Sequence, residues 1–154
     1  FALFGVPGAF AYRAINTLDS IVGYKTRELI NIGWFSARLD SIANWVPARL
    51  TALLTVLSAA LIAGSASGSW RILRRDRNRT ESWNAGWPMS AMAGALEVRL
   101  EKPGFYALGN GDQSLTYEHL TKAARAMVVN TFLFVFLVVI PVIIAVNMVE
   151  MQIG

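Results

Sequence analysis

Two short stretches of this chain set carboxylates, amides and cations at helical spacing, and a third sets an amide in a turn between tryptophans. In the first, Arg13, Asn16 and Asp19 recur every three residues, and Lys25 follows. An aspartate beside amides and cations can hold a hydrated Mg²⁺ or orient a nucleophile, while arginine and lysine hold phosphate oxygens. The second, SARLDSIANWVPAR, carries Arg38, Asp40, Asn44 and Arg49. Ser36, Asp40 and Asn44 recur every four residues and share a helix face, so a carboxylate and an amide flanked by arginines again suit a metal–phosphate site. The third, WNAGWP, sets Asn84, Gly86, Trp87 and Pro88 in a rigid turn between tryptophans, able to recognise a flat ligand or to order a loop. Each has a plainer alternative. Arg13 and Asp19 can solvate the exposed side of an interfacial helix, the second stretch can cap and anchor a helix with Trp45 as a belt aromatic, and the third can be a structural turn.

Other chemistries fall away. With zero cysteines and a single histidine, a disulfide framework, a Cys-ligated zinc and an iron–sulfur cluster are excluded. His119 has no second His or Cys near it and reads as a helix-surface residue. No GxxxxGK[ST] is present, and Gly109-Asn110-Gly111 alone is too short a signal for a phosphate loop. Asn78-Arg79-Thr80 fits the glycosylation sequon, but the loop that carries it is expected to be cytoplasmic.

The elements that must position these residues are membrane elements. The chain has 154 residues, 55% hydrophobic and 16% charged, against about 25% charged in soluble domains. No charge falls in the 21 residues from Leu50 to Trp70 or in the 24 from Ala126 to Val149. Either run suffices for a helix of about 20 residues crossing a bilayer. The expected fold is all-α: a polytopic integral membrane protein with amphipathic interfacial helices, forming one membrane domain over 1–154. Residues 1–47 should form amphipathic helices, 48–70 a transmembrane helix, 71–125 a cytoplasmic loop region and 126–149 a second transmembrane helix. The net charge of +4 reflects Arg71, Arg74, Arg75, Arg77 and Arg79 beyond the first span, a positive-inside signal rather than a nucleic-acid site.

Within that frame, a helix begins after Pro7 and Gly8, with Tyr12, Arg13, Asn16, Asp19 and Ser20 on one stripe, and ends at Gly23. A second stops where Pro47 restarts the chain as the next helix. Pro88 opens a helix running to about Leu96, and a short hairpin around Pro103-Gly104 joins Val98–Leu100 to Phe105-Tyr106. Thr116 caps the helix that enters the last span, where Pro141 should introduce a kink. One crossing at 48–69 would put residues 24–46 on the face opposite the cytoplasmic loop. The chain opens on Phe1, with no signal peptide pattern, and is expected to be a fragment of a longer one.

Three long runs, FALFGVPGAFAYRAINTLDSIVGYKT, ARLDSIANWVPARLTALL and WNAGWPMSAMAGALEVRLEKPGFYALG, occur in an order that resembles the C-terminal half of the membrane-bound adenosylcobinamide-phosphate synthase family of cobalamin biosynthesis. The resemblance extends from near Phe1 to Gly109 and includes the closing hydrophobic helix. It implies an ATP- and Mg²⁺-dependent ligation of a corrinoid carboxylate, adenosylcobyric acid, with the amine of aminopropanol or its phosphate, in the cell membrane. Asp19 and Asp40 would then be Mg²⁺-holding or amine-orienting carboxylates. Arg13, Lys25, Arg38 and Arg49 would bind phosphate and carboxylate, and Asn16, Asn44, Asn84 and Trp87 would position substrate. ATP enters as co-substrate, and no tightly bound cofactor is expected. Met89 stands where the family pattern has a glutamate. The N-terminal half of the family's chain is a further partner, and an oligomer is compatible with the pattern. The competing functions are a noncatalytic membrane regulator of the same superfamily, which should lack the Asp- and Asn-bearing runs, and a transporter subunit with polar stripes lining a pathway.

Overall fold

Prolines, glycines and capping hydroxyls set the helix boundaries along this chain, and small residues set how closely the helices approach. The computed structural model describes residues 4–23, 31, 33–62, 64–111 and 115–153. They fall into two units, Phe1–Asn44 with Phe136–Gly154, and Trp45–Val135.

In the first unit, α1 (Gly5–Val22) packs against α2 (Trp34–Ala43). The helix expected after Pro7 and Gly8 ends as anticipated at Gly23, whose N–H donates to the Asp19 carbonyl at 2.8 Å. Phe10, Leu18 and Ile21 remain exposed on α1, so its packing on α2 engages the polar stripe instead. Asn44 closes α2, its N–H donating to the Asp40 carbonyl.

The second unit begins with α3 (Trp45–Leu61), in whose first turn Pro47 sits where a missing N–H costs nothing. Residues 48–70 do not continue as the single helix expected of them. The run Gly64-Ser65 supplies a break: Ser65 is extended and its hydroxyl accepts from the Gly68 N–H at 3.0 Å, starting α4 (Ala66–Asp76). At 17 residues, α3 lies at the short end of the range of about 17–25 residues that crosses a bilayer. The charge-free run is thus divided between α3 and the start of α4.

Region 71–125 is correspondingly structured. It holds most of α4, then α5 (Gly86–Leu96), the antiparallel pair β1 (Leu100–Lys102) and β2 (Tyr106–Leu108), and the start of α6 (Tyr117–Phe134). The hairpin anticipated around Pro103-Gly104 pairs Leu100 with Leu108 and Lys102 with Tyr106. The fold is therefore mostly helical with one small two-stranded ribbon. The most extensive packing joins α4 to α5. There Ser69 Oγ donates to the Ala91 carbonyl at 2.7 Å, and a Cβ on Gly94 would stand 2.5 Å from the Gly68 carbonyl oxygen. Ala52, Leu73 and Ala91 form one apolar cluster and Ile72, Ala93 and Leu108 another.

Thr116 caps α6, its N–H donating to His119 Nδ1 at 3.1 Å, so the lone histidine has a capping role. Around Val135–Val139 the helix widens into a π turn before α7 (Ile140–Ile153). Pro141 lacks the N–H that would reach the Leu137 carbonyl, and its ring crowds that turn. The wide turn is the local adjustment that lets the helix pass the proline. Tyr117–Val149 is the one helix among the described residues long and apolar enough to cross a membrane. By the same measure α2 and α3 qualify only as a broken pair.

Candidate functional site

The matched four-residue spacings on α1 and α2 meet as two polar ladders. Asp40 Oδ1 accepts from Asn44 Nδ2 at 2.8 Å and from Asn16 Nδ2 at 3.3 Å. Tyr12 in turn donates its hydroxyl to Asn44 Oδ1 at 2.6 Å. Two amides from two helices thus fix one half-buried carboxylate. Asp19, also half-buried, has its carboxyl held above the usual range by burial and then by the charge of Asp40. This is a like-charged pair in a polar frame, an arrangement that favours a cation. Among the described residues no group of three or more His, Cys, Asp or Glu could hold a metal. The pair suits a hydrated Mg²⁺ completed by water and phosphate oxygens rather than an all-protein cage.

A second cluster forms around Arg49 on α3. Its Nη1 donates to Asn84 Oδ1 and to the Trp45 carbonyl, each at 2.8 Å. The same guanidinium lies 4.3 Å from the Trp45 ring centroid and 4.7 Å from that of Trp87. The rigid turn anticipated at 83–88 is held by Ser82, whose hydroxyl accepts from the Asn84 and Ala85 N–H groups, both at 3.3 Å. The Trp87 N–H closes it on the Asn84 carbonyl. A planar, always-charged group is therefore stacked, oriented and still left with unused donors.

The structure thus brings Asn16, Asp19, Asp40 and Asn44 together in one unit, and Arg49, Asn84 and Trp87 together in the other. Arg13 and Arg38 are exposed on α1 and α2, and the hydrogen bonds named above for the first group do not include them. Lys25 lies outside the described residues. Three participants were not singled out by the sequence. Tyr12 was placed on the polar stripe without a role, although its four-residue offset from Asn16 matches that of Asp40 and Asn44. Arg77 belongs to the arginine run that reads as a topology signal, and Asp76 lies inside that run. Arg77 lies 5.0 Å from the Trp87 centroid. Asp76 is fully buried and bonds Arg75 Nε at 2.6 Å, Arg79 Nε at 3.2 Å and the Gly109 N–H at 2.8 Å. Burial alone would raise its pKa, but the Arg75 and Gly109 bonds and the two arginine charges outweigh that and leave it lowered. A lone acid inside five arginines was the signal for this clamp.

Comparison with known proteins bears on the same runs. The sequence profile of the CobD/Cbib protein family matches residues 1–131. The chain belongs to the CobD/Cbib family. Its relatives include the probable cobalamin biosynthesis protein CobD of Methanothermobacter thermautotrophicus, 50% identical over 134 residues, covering 87% of this chain and 45% of the relative. The cobalamin biosynthesis protein CobD of Dehalococcoides mccartyi is 50% identical over 110 residues, 71% of this chain and 35% of that one. The probable CobD of Aeropyrum pernix is 47% identical over 128 residues, 83% of this chain and 40% of its own length. This CobD/Cbib chain therefore spans less than half the length of these relatives. No solved structure matches it. Family membership is what the resemblance in the three runs implied, and those runs carry both clusters.

Proposed function

We propose that the protein serves cobalamin biosynthesis as part of a membrane-bound, ATP-dependent amide ligase, joining adenosylcobyric acid to aminopropanol or its phosphate. The observation that carries this reading is the Asp40 carboxylate, fixed by amides from two helices beside Asp19, in a chain that belongs to the CobD/Cbib family.

A carboxylate does not condense with an amine in water unless its oxygen is made a leaving group. The corrinoid carboxylate oxygen attacks the terminal phosphorus of ATP, the bond to the ADP oxygen breaks, and an acyl phosphate forms. The amine nitrogen then attacks the acyl carbon, loses a proton, and expels inorganic phosphate. Asp19 and Asp40 would hold Mg²⁺, which when bound neutralises phosphate charge. Asp40 has one oxygen committed to amides, and its Oδ2 accepts no hydrogen bond among the described residues. Asn16 and Asn44 keep that carboxylate oriented, and Tyr12 locks the Asn44 amide. Arg49, held flat by Trp45 and Trp87, offers its remaining N–H groups to phosphate or carboxylate oxygens, stabilising charge where it develops. Arg13, Lys25 and Arg38 add cations for the same anionic substrates, and Asn84 and Trp87 hold Arg49 in place.

The test is growth. In a cobalamin auxotroph lacking its own synthase, the full-length protein should restore growth on cobyric acid. The 154-residue chain, tested alongside, reports whether these residues suffice. Cobinamide, which bypasses the step, is the control. No rescue by full-length protein that is present in the membrane would overturn the reading.

A further inference from the structure

Beside the stacked arginine lies a cavity of about 240 Å³ lined by Arg49, Arg77, Asn78, Thr80, Ser82 and Trp83. We propose that it is a subsite for a phosphate group, with Arg77 and Ser82 as binding residues alongside Arg49. Two guanidinium groups reach this one space, both stacked on Trp87 at 4.7 and 5.0 Å. Among the described residues no aspartate or glutamate lines it. Among the described residues neither Arg49 nor Arg77 has a carboxylate within ion-pairing distance, whereas Arg75, Arg79 and Arg99 all do. Two cations held against one ring without an acid repel each other, and an anion between them removes that cost.

The hydrogen-bonding inventory points the same way. Arg77 makes no side-chain hydrogen bond among the described residues, which leaves its five donors available. The Ser82 oxygen accepts from Asn84 and Ala85, so its own hydrogen is free to donate. Asn78 adds an amide at the rim. A donor-rich pocket with no acid among its described lining residues fits a dianionic phosphate. Its volume lies below the roughly 300–1,000 Å³ of sites that enclose drug-sized ligands, so it takes a phosphate group or a small phosphomonoester and not a whole nucleotide.

The test is ³¹P line broadening of methyl phosphate titrated with the full-length protein in maltoside micelles, which contain no phosphorus. Wild type should broaden the signal saturably. Arg77→Ala and Arg77→Gln should each weaken binding about tenfold or more, Ser82→Ala a few-fold, and Arg74→Ala, which removes an exposed charge on α4, should leave it unchanged. Thermal unfolding of each variant shows whether it is folded. The two Arg77 substitutions keep the result readable if one of them does not fold. Absence of saturable broadening by wild type, wild-type binding by folded Arg77 variants, or an equal loss in Arg74→Ala would each overturn the subsite. Phosphatidic acid added to the micelles separates the sources of the phosphate. If it abolishes the Arg77-dependent signal the ligand is a lipid headgroup, and if it leaves the signal intact the ligand is a soluble phosphomonoester. The titration uses neither corrinoid nor ATP, so a failure of ligation leaves the subsite standing, and the reverse also holds.

Discussion

Asp40 is the carboxylate held by amides from both helices of the first cluster, and its substitution should separate chemistry from folding. Asp40→Asn keeps the volume and leaves the helix ladder nearly intact, yet removes the charge. Ligation should fall by about 100-fold or more with the protein still in the membrane fraction, measured as product formed by the full-length enzyme. Arg49→Lys keeps a charge but loses the planar fork that bonds Asn84 while stacking on Trp45 and Trp87; a loss of about tenfold is expected in the same assay. Asp76 should behave in the opposite way, through stability. Its folded pKa lies below the ordinary value of 3.8, so its contribution is fully present above that value and is lost as pH falls through the lower, folded one. Asp76→Ala should cost about 2–4 kcal/mol, less than for fully buried pairs because Arg75 and Arg79 are 37% and 51% exposed. Unfolding midpoints at pH 7 and at pH 3 measure it, and the gap between variant and wild type should narrow at the lower pH. Asp40 and Asn44 were legible because a four-residue repeat of polar types stands out in an apolar chain. Arg77 and Asp76 were not, because five arginines in nine residues read as one signal and hide which of them has a partner.

Helix ends were written in the sequence more plainly than helix continuity. Gly23, Pro47 and Thr116 all act where their chemistry says they should. The break between α3 and α4 was missed because hydropathy counts Gly64-Ser65-Ala66-Ser67-Gly68 as span-compatible, whereas capping depends on one hydroxyl bonding one N–H. Ser65→Ala should therefore destabilise the second unit by about 1 kcal/mol. Close approach gives a sharper test. A Cβ at Gly94 would stand 2.5 Å from the Gly68 oxygen and 2.7 Å from Ser69 Cα, both backbone atoms that move only if α4 does. Gly94→Ala should cost about 1–3 kcal/mol, and Gly104→Ala, whose Cβ would meet nothing within 4 Å, should cost less despite its positive φ of 78°. Denaturation of the two variants side by side checks the order; equal costs would count against tight α4–α5 packing.

At the level of the entire chain, composition predicts a membrane protein, and among the described residues one helix of 33 residues, Tyr117–Val149, has the length and apolarity to cross. The number of crossings was less legible, since a charge-free run of 21 residues can be divided by a cap, as Leu50–Trp70 is. The absence of cysteine from these 154 residues makes the topology measurable. Cysteine placed at Ser20 or at Ser82 should react with an impermeant maleimide from the cytoplasmic side, where ATP is. The family was legible because three long runs in fixed order constrain identity far more than any single site does. The most direct test of the proposed ligation follows one oxygen atom. The full-length enzyme is given ATP, Mg²⁺, aminopropanol phosphate and cobyric acid with ¹⁸O in the reacting carboxylate. Activation as an acyl phosphate predicts ADP, the amide, and inorganic phosphate carrying one ¹⁸O. Amide formed with ¹⁸O in AMP, or with no label in phosphate, would contradict it.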